Sequence, residues 1–379
     1  MSLAGLRVAA VFGSMSPEHE ISVITACQAM PVLRELGATV VPIYITKQGS
    51  WITDPSFAEL STFRERLPEQ GDPVSLDLAL GRFRVGPRSL LGRPRELPVD
   101  VIFPLVHGGN GEDGTLAALA ALARIPQVGC GTLAGALAMD KYRSKQLLRA
   151  LGQPVVPARL LSGGVEAGRA AAELSFPLVV KPNRSGSSIG VTLVESSEAL
   201  PAAVELALQF DSQVLLEPAV PGAQDLNCAV KLSGPRASEV ERPVKGPGVL
   251  SFSDKYTTEG RLAPKSASAA AKGDSRRELP AEIPAELRSR LQALAVQAFD
   301  ALDCRGTARV DFLLSEAGDL YVNEINTIPG SLAFYLWEAS GVTFPALLEE
   351  LVGEGLSFLP ARPLALPGNL LAAQGVLGK

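Results

Sequence analysis

Residues 6–13 (LRVAAVFG), 39–46 (TVVPIYIT) and 99–106 (VDVIFPLV) are short β-rich apolar runs, with a helical stretch between the first two. Strand–helix–strand alternation restricts this part of the chain to an α/β domain with a parallel sheet, because parallel neighbours need a crossover between them. Ser16-Pro17 marks the helix start, and Pro31 predicts a kink or break further along. Residues 47–98, rich in Pro, Arg and Gly, read as an elaboration of the same domain.

The third run leads into HGGNGEDG and an alanine-leucine helix. After IPQVGCG, the stretch TLAGALAMDKYRSKQLLRALG reads as one helix ended by Gly152 and followed by Pro154. FPLVVKPNRSGSSIGVTLV (176–194) reads as strand, glycine-serine loop, strand; a helix over about 197–210 and the strand QVLLEPAV complete a small α+β unit. LNCAVKLSG, a polar segment, a helix over about 284–302 and a hairpin at 306–330 follow, and then a loosely held tail.

With 379 residues and a net charge of −5, the surface offers no general attraction to nucleic acid or an anionic membrane, so an anionic ligand must meet local basic clusters. Cys27, Cys130, Cys228 and Cys304 lack paired spacing, and two histidines make a zinc site improbable; free thiols in a reducing cytosol are expected. The N-terminus lacks a signal-peptide pattern, and no run of about 18 apolar residues predicts a membrane span. The expectation is a soluble, cytoplasmic protein.

Polar residues interrupt the apolar runs of GTARVDFLLSEAGDLYVNEINTIPG. With the turn at Ala317-Gly318 and Glu316 facing Asp319, Asp311 falls opposite Glu324 and Arg309 opposite Asn326, all on one face. Directly opposed carboxylates destabilise a sheet unless something offsets the repulsion, and a divalent cation is the natural candidate. Two carboxylates and an amide oxygen suit Mg²⁺, with phosphate completing the shell, and Arg309 could meet phosphate or developing negative charge. An amphipathic hairpin with a solvated polar face is the alternative, and a one-residue slip would separate the pairs.

KPNRSGSSIG (181–190) lies between two strands, where backbone N–H groups, serine hydroxyls and Lys181 could cradle phosphates; a polar hairpin tip is the bland reading. HGGNGEDG follows a buried strand at its carboxyl end, where open α/β sheets bind ligands. His107 there could hydrogen-bond a ligand or exchange protons, or be a structural loop residue, while Glu112 and Asp113 could simply cap the helix. In FGSMSPEHEIS, Glu18 is a partner for a substrate ammonium or a complement to the helix dipole. SDKYTT and the small, polar residues after it read as a mobile lid or a linker.

Together, SPEHEIS, HGGNGEDGT, ALAMDK, KPNRSGSSIGV, DKY, PAEI, RVDF and NEINTIPG resemble, in order and over residues 12–330, the bacterial D-alanine–D-alanine ligases of the ATP-grasp superfamily. The resemblance implies an N-terminal α/β substrate domain (1–130) and two α+β domains gripping ATP (131–217 and 218–360), with a lid at about 246–279 and a tail at 361–379. It implies phosphorylation of one D-alanine carboxylate by ATP, then attack by the amine of the second. By that similarity Asp311, Glu324 and Asn326 hold Mg²⁺ (or Mn²⁺), and Arg309 with the Gly330 N–H stabilises the oxyanion. Lys141, Lys181, Ser188 and Lys255 meet ATP phosphates; Glu217 meets adenine and Asp225 the ribose. Glu18, linked through Ser187 to Tyr256, binds the first ammonium, and His107 lies near the first carboxylate. A homodimer is the family's expectation.

The sequence departs from the pattern in places. PGAQDLNCAV is one residue longer around Asp225, and the lid has an unusual composition. NTIPGSLAFYLWEASG lacks about four residues after Gly330, so Ser331 and Leu332 would take over the second substrate's carboxylate, or that substrate differs: another D-amino acid or D-lactate. Tyr256 is the residue expected of peptide-forming ligases. An ATP-binding module without catalysis is the remaining alternative, against which the retained Arg309 argues.

Overall fold

Strand β1 (Arg7–Gly13) is buried along all but its first residue, as a strand covered on both faces must be. It pairs in parallel with β2 (Thr39–Ile45) and β7 (Val101–Pro104). Beyond β2 the sheet continues antiparallel through β3 (Trp51–Thr53), β4 (Asp72–Asp77), β5 (Arg82–Val85) and β6 (Arg95–Leu97). Strands β3 to β6 therefore extend the predicted parallel sheet as an antiparallel wing. The coordinates are a computed structural model describing residues 2–86, 93–162, 167–233, 236–243 and 277–358.

Helix α1 (His19–Glu35) passes through Pro31 without the predicted break. Pro31 has no N–H to contribute, and Ala26, Met30 and Leu33 hold the helix in the core beneath the sheet. It begins three residues after Ser16, whose hydroxyl accepts the Glu18 N–H at 3.1 Å. After β7 come the short α2 (Gly109–Glu112) and α3 (Thr115–Ala123).

The alanine-rich stretch expected to be one helix is two, α4 (Thr132–Met139) and α5 (Lys141–Ala150). Asp140 breaks the run in extended conformation, and its carboxylate caps α5 through the Arg143 N–H at 2.9 Å.

A second, antiparallel sheet orders β10 (Thr192–Val194), β9 (Leu178–Pro182), β11 (Gln213–Pro218) and β8 (Arg159–Ser162); α6 (Ala167–Ala172) and α7 (Leu200–Leu208) accompany it. The third sheet comprises β12 (Gln224–Lys231), β13 (Ala237–Pro243), β14 (Arg277–Glu278), β15 (Thr307–Leu314) and β16 (Leu320–Asn326) in the order β14-β13-β12-β15-β16. Helix α8 (Ala285–Ala301) buries Leu291, Ala295 and Phe299 against it.

Helices α9 (Phe334–Ala339) and α10 (Phe344–Ser357) return to the first sheet, where Trp337, Leu347 and Leu351 share one core with Val8, Phe12 and Met30. The four cysteines are free thiols, although Cys130 and Cys304, remote in sequence, adjoin; the Cys130 sulfur accepts the Arg305 N–H at 3.3 Å. Among the described residues no helix is long and apolar enough to cross a membrane. The tail, and nearly all of the expected lid with Lys255 and Tyr256, lie outside the described residues.

Candidate active site

The hairpin pairs Arg309 with Asn326 and Asp311 with Glu324, as strand parity predicts. Its turn is not the predicted one. Ser315, rather than Glu316, faces Asp319, donating its N–H to the Asp319 carbonyl at 2.9 Å. A bulge at Asn323 reconciles the two, because Phe312 pairs with Val322 while Asp311 still meets Glu324. Without it, Leu320, Val322, Glu324 and Asn326 would share a face. With it, Leu320, Val322 and Ile325 join Val310 and Phe312 in the core, and the polar pair turns to the other side. The Asn323 amide oxygen is buried without a hydrogen-bond partner among the described residues.

Each opposed carboxylate has its own cation. Arg309 grips Asp311 with two bonds of 2.7 and 2.8 Å, and the Asn326 amide donates to the same carboxylate at 3.1 Å. Burial works against the guanidinium charge, but Asp311 overrules it and holds the Arg309 pKa well above its ordinary value. Glu324 lies 3.4 Å from the Lys141 ammonium, which also donates to the Ser185 carbonyl at 2.6 Å. Lys141 reaches this place because Asp140 ends α4 one residue earlier. The oxygen donors of Asp311, Glu324 and Asn326 fit a hard divalent cation; among the described residues no group of three or more Asp, Glu, His or Cys could hold one, so further ligands would be phosphate and water.

Glu217, 3% exposed on β11, sits between two lysines: Lys181 at 2.6 Å and Lys145 at 2.7 Å. Burial pushes its carboxyl up, but the two ammonium groups outweigh that and hold it below the usual range. Lys145, 1% exposed, has its pKa lowered chiefly by burial. Its contact with Glu217 is a close ion pair rather than an aligned hydrogen bond. Asp225 shares a strand face with Asn227, opposite Asp311, which puts it on the site side of the sheet.

β1 and β7 are adjacent and parallel, so the loops at their carboxyl ends lie side by side and bring Glu18 next to Gly108. The Ser187 hydroxyl donates to the Glu18 carboxylate. A Cβ at Gly108 or at Gly186 would stand 2.6 Å from a Glu18 carboxylate oxygen, so these two glycines leave the room in which that carboxylate sits and a larger residue would displace it. Ser187 and Ser188 turn with φ of 52° and 58° beside it.

His107 is buried and neutral. Burial, more than neighbouring charge, brings its pKa down to about 4. Its Nε2 is 2.8 Å from the Thr25 hydroxyl, and the Ile328 backbone lies beside the ring. Thr25 also accepts the Ser331 N–H at 3.0 Å. The Glu112 carboxylate accepts the N–H groups of Gly108 at 3.0 Å and Ile328 at 3.3 Å. It retains some solvent contact deep in the cleft, where burial and then Glu18 raise its pKa to about 7.

Ser331, Leu332 and Ala333 form a left-handed turn with φ of 53°, 54° and 51°. Left-handed helical backbone costs roughly 1–2 kcal/mol for each residue with a Cβ. The Leu332 N–H is taken by the Pro329 carbonyl at 2.8 Å and its side chain is buried, so it does not present the carboxylate donor expected of it. The Gly330 N–H has no hydrogen-bond partner among the described residues.

Sequence reasoning missed Thr25 and Lys145 and weighed Glu112 only as a helix cap. Lys145 had a signal: it follows Lys141 by one helical turn in a lysine-poor chain. Thr25 had none.

Family models described as D-ala D-ala ligase N-terminus and C-terminus match residues 7–130 and 147–353. A D-alanine–D-alanine ligase from Mycolicibacterium vanbaalenii is 38% identical over 92% of this chain and 96% of its own length. One from Thermosipho melanesiensis is 34% identical over 97% of this chain and 98% of its own length. Among solved structures, a D-Ala:D-Ser ligase from Enterococcus faecalis superimposes with a TM-score of 0.76 at 30% identity, covering 92% of this chain and 99% of that one. The D-alanine–D-alanine ligase from Coxiella burnetii gives 0.76 at 26% identity, over 93% and 94%.

Proposed function

The chain belongs to the D-alanine–D-alanine ligase family, and we propose that it joins two D-alanine molecules with ATP, supplying the dipeptide for peptidoglycan synthesis. ATP would phosphorylate the carboxylate of the first D-alanine, and the amine of the second would attack that carbon and release phosphate. The observation that carries this reading is a convergence of groups from around all three sheets: Glu18, from the loop after β1, meets Ser187 in the β9–β10 loop, and Lys141 bridges Ser185 of that loop to Glu324 of the third sheet.

In this reading Glu18, backed by Ser187 and Tyr256, holds the first ammonium. Lys141, Lys181, Ser188 and Lys255 hold the phosphates, Glu217 the adenine amine and Asp225 the ribose. Arg309 and the Gly330 N–H meet the oxyanion, for which the unpaired Gly330 donor is suited. His107, bonded to Thr25 and kept neutral by burial, braces the site instead of exchanging protons. The Ser331 hydroxyl holds the second carboxylate without help from Leu332. Asp311, Glu324 and Asn326 would hold Mg²⁺, which neutralises phosphate charge when bound.

The three sheets support a division near residues 130 and 217. A cytoplasmic location and a homodimer are further parts of the proposal, drawn from the family. Phosphate release with ATP and Mg²⁺, measured across D-alanine, D-serine and D-lactate, tests the reading. Release with D-alanine alone supports it. Release only when a second acceptor accompanies D-alanine would instead support the reading in which the short turn after Gly330 accommodates a different second substrate.

A further inference from the structure

We propose that Thr25 is a positioning residue that fixes the direction of the Gly330 N–H, acting through Ser331 and steadied by His107. This rests on the reading of Gly330 as an oxyanion donor. Thr25 lies on α1 and is 1% exposed, so its hydroxyl has no access to water. The oxygen accepts the Ser331 N–H at 3.0 Å, and a second hydrogen bond of 2.8 Å joins it to His107 Nε2. With the hydroxyl proton directed to Nε2, the neutral imidazole carries its own proton on Nδ1.

The peptide group after Gly330 is thereby tied to a buried hydroxyl. Glu112 adds a tie on the other side, at the Ile328 N–H, 3.3 Å away. Such restraint is what the next three residues require, since Ser331, Leu332 and Ala333 are all held in the left-handed region. Strained backbone persists only where its surroundings over-determine it. An unrestrained Gly330 peptide could swing, and a donor misdirected by a fraction of an ångström no longer meets the charge that develops in the transition state.

The test pairs Thr25→Val, which keeps the shape and deletes the hydroxyl, with Thr25→Ser, which keeps the hydroxyl. Thr25→Val is expected to lower kcat by about 10- to 100-fold with the KM values for ATP and the first D-alanine within about two-fold. Thr25→Ser should recover most of the loss. Equal activity of Thr25→Val and the unaltered protein, or equal loss in both variants, would overturn the proposal.

A second measurement needs neither activity nor a folded variant. The chain has two histidines, so ¹⁵N spectra resolve both rings. In the unaltered protein at neutral pH, His107 must show a protonated Nδ1 and an Nε2 shifted as a hydrogen-bond acceptor. A protonated Nε2 would contradict the relay even if the protein ligates D-alanine. The acceptor shift in a protein that released no phosphate would leave the relay standing and count against the ligase reading alone.

Discussion

Asp311 and Glu324 face each other across the hairpin only because Asn323 bulges out of register between them and the turn. The two carboxylates are held by different cations, Arg309 and Lys141. Glu324→Gln removes one charge from the pair at no change of volume. It should cut phosphate release at least roughly 100-fold, since metal-held charge is worth several kcal/mol in the transition state. The unfolding midpoint in urea should move little, because Glu324 lies on the site face away from the apolar core. Undiminished turnover would remove Glu324 from the metal set.

Arg309→Lys tests geometry at constant charge. The guanidinium makes two bonds to Asp311, which an ammonium cannot reproduce. A loss of about 100- to 1,000-fold in kcat is expected if the fork also presents a donor to the oxyanion. Steady-state assays with saturating ATP and D-alanine would read it, and a change confined to KM would point to ground-state binding instead.

Much of this site was legible in the chain. Strand parity alone put Arg309, Asp311, Glu324 and Asn326 on one face. It did so through a turn placed one residue too far along, an error that the bulge at Asn323 cancels. Period-two reasoning has no term for an inserted residue, although Leu320, Val322 and Ile325 together demand one. The helix break at Asp140 was similarly hidden, because alanine-rich sequence favours helix on both sides and only the cap marks the boundary. Thr25 was out of reach altogether, since its partners lie 82 and 306 residues away.

Lys145 and Lys181 share Glu217, and the reading requires Lys181 to release it when phosphate arrives. Lys145 then keeps the buried carboxylate neutralised. In Lys145→Met, Lys181 is its only remaining cation among these two, so the KM for ATP should rise. Stability without nucleotide should fall by up to about 3 kcal/mol, the scale for removing one member of a buried ion pair. Urea unfolding and ATP titration check the two halves separately, and an unchanged KM would mean that Lys181 stays on Glu217 throughout.

His107 and Glu112 titrate in opposite senses across nearly one pH window. The pKa of His107 falls from 6.5 to about 4 on folding, so between those values the unfolded chain binds more protons and this group makes stability rise with pH. The pKa of Glu112 rises from 4.5 to about 7, so the folded chain binds more protons there and this group makes stability fall as pH rises. Each shift is worth roughly 3 kcal/mol at most, and between about pH 4.5 and 6.5 the two slopes oppose each other. Glu112→Gln should uncover the His107 slope, with unfolding free energy climbing from pH 4 to 6.5. His107→Gln should uncover the Glu112 slope, with the free energy declining from pH 4.5 to 7. Urea unfolding without nucleotide, repeated across the range, distinguishes them; profiles of the same sign in both variants would show that one of the two groups does not titrate as its surroundings imply.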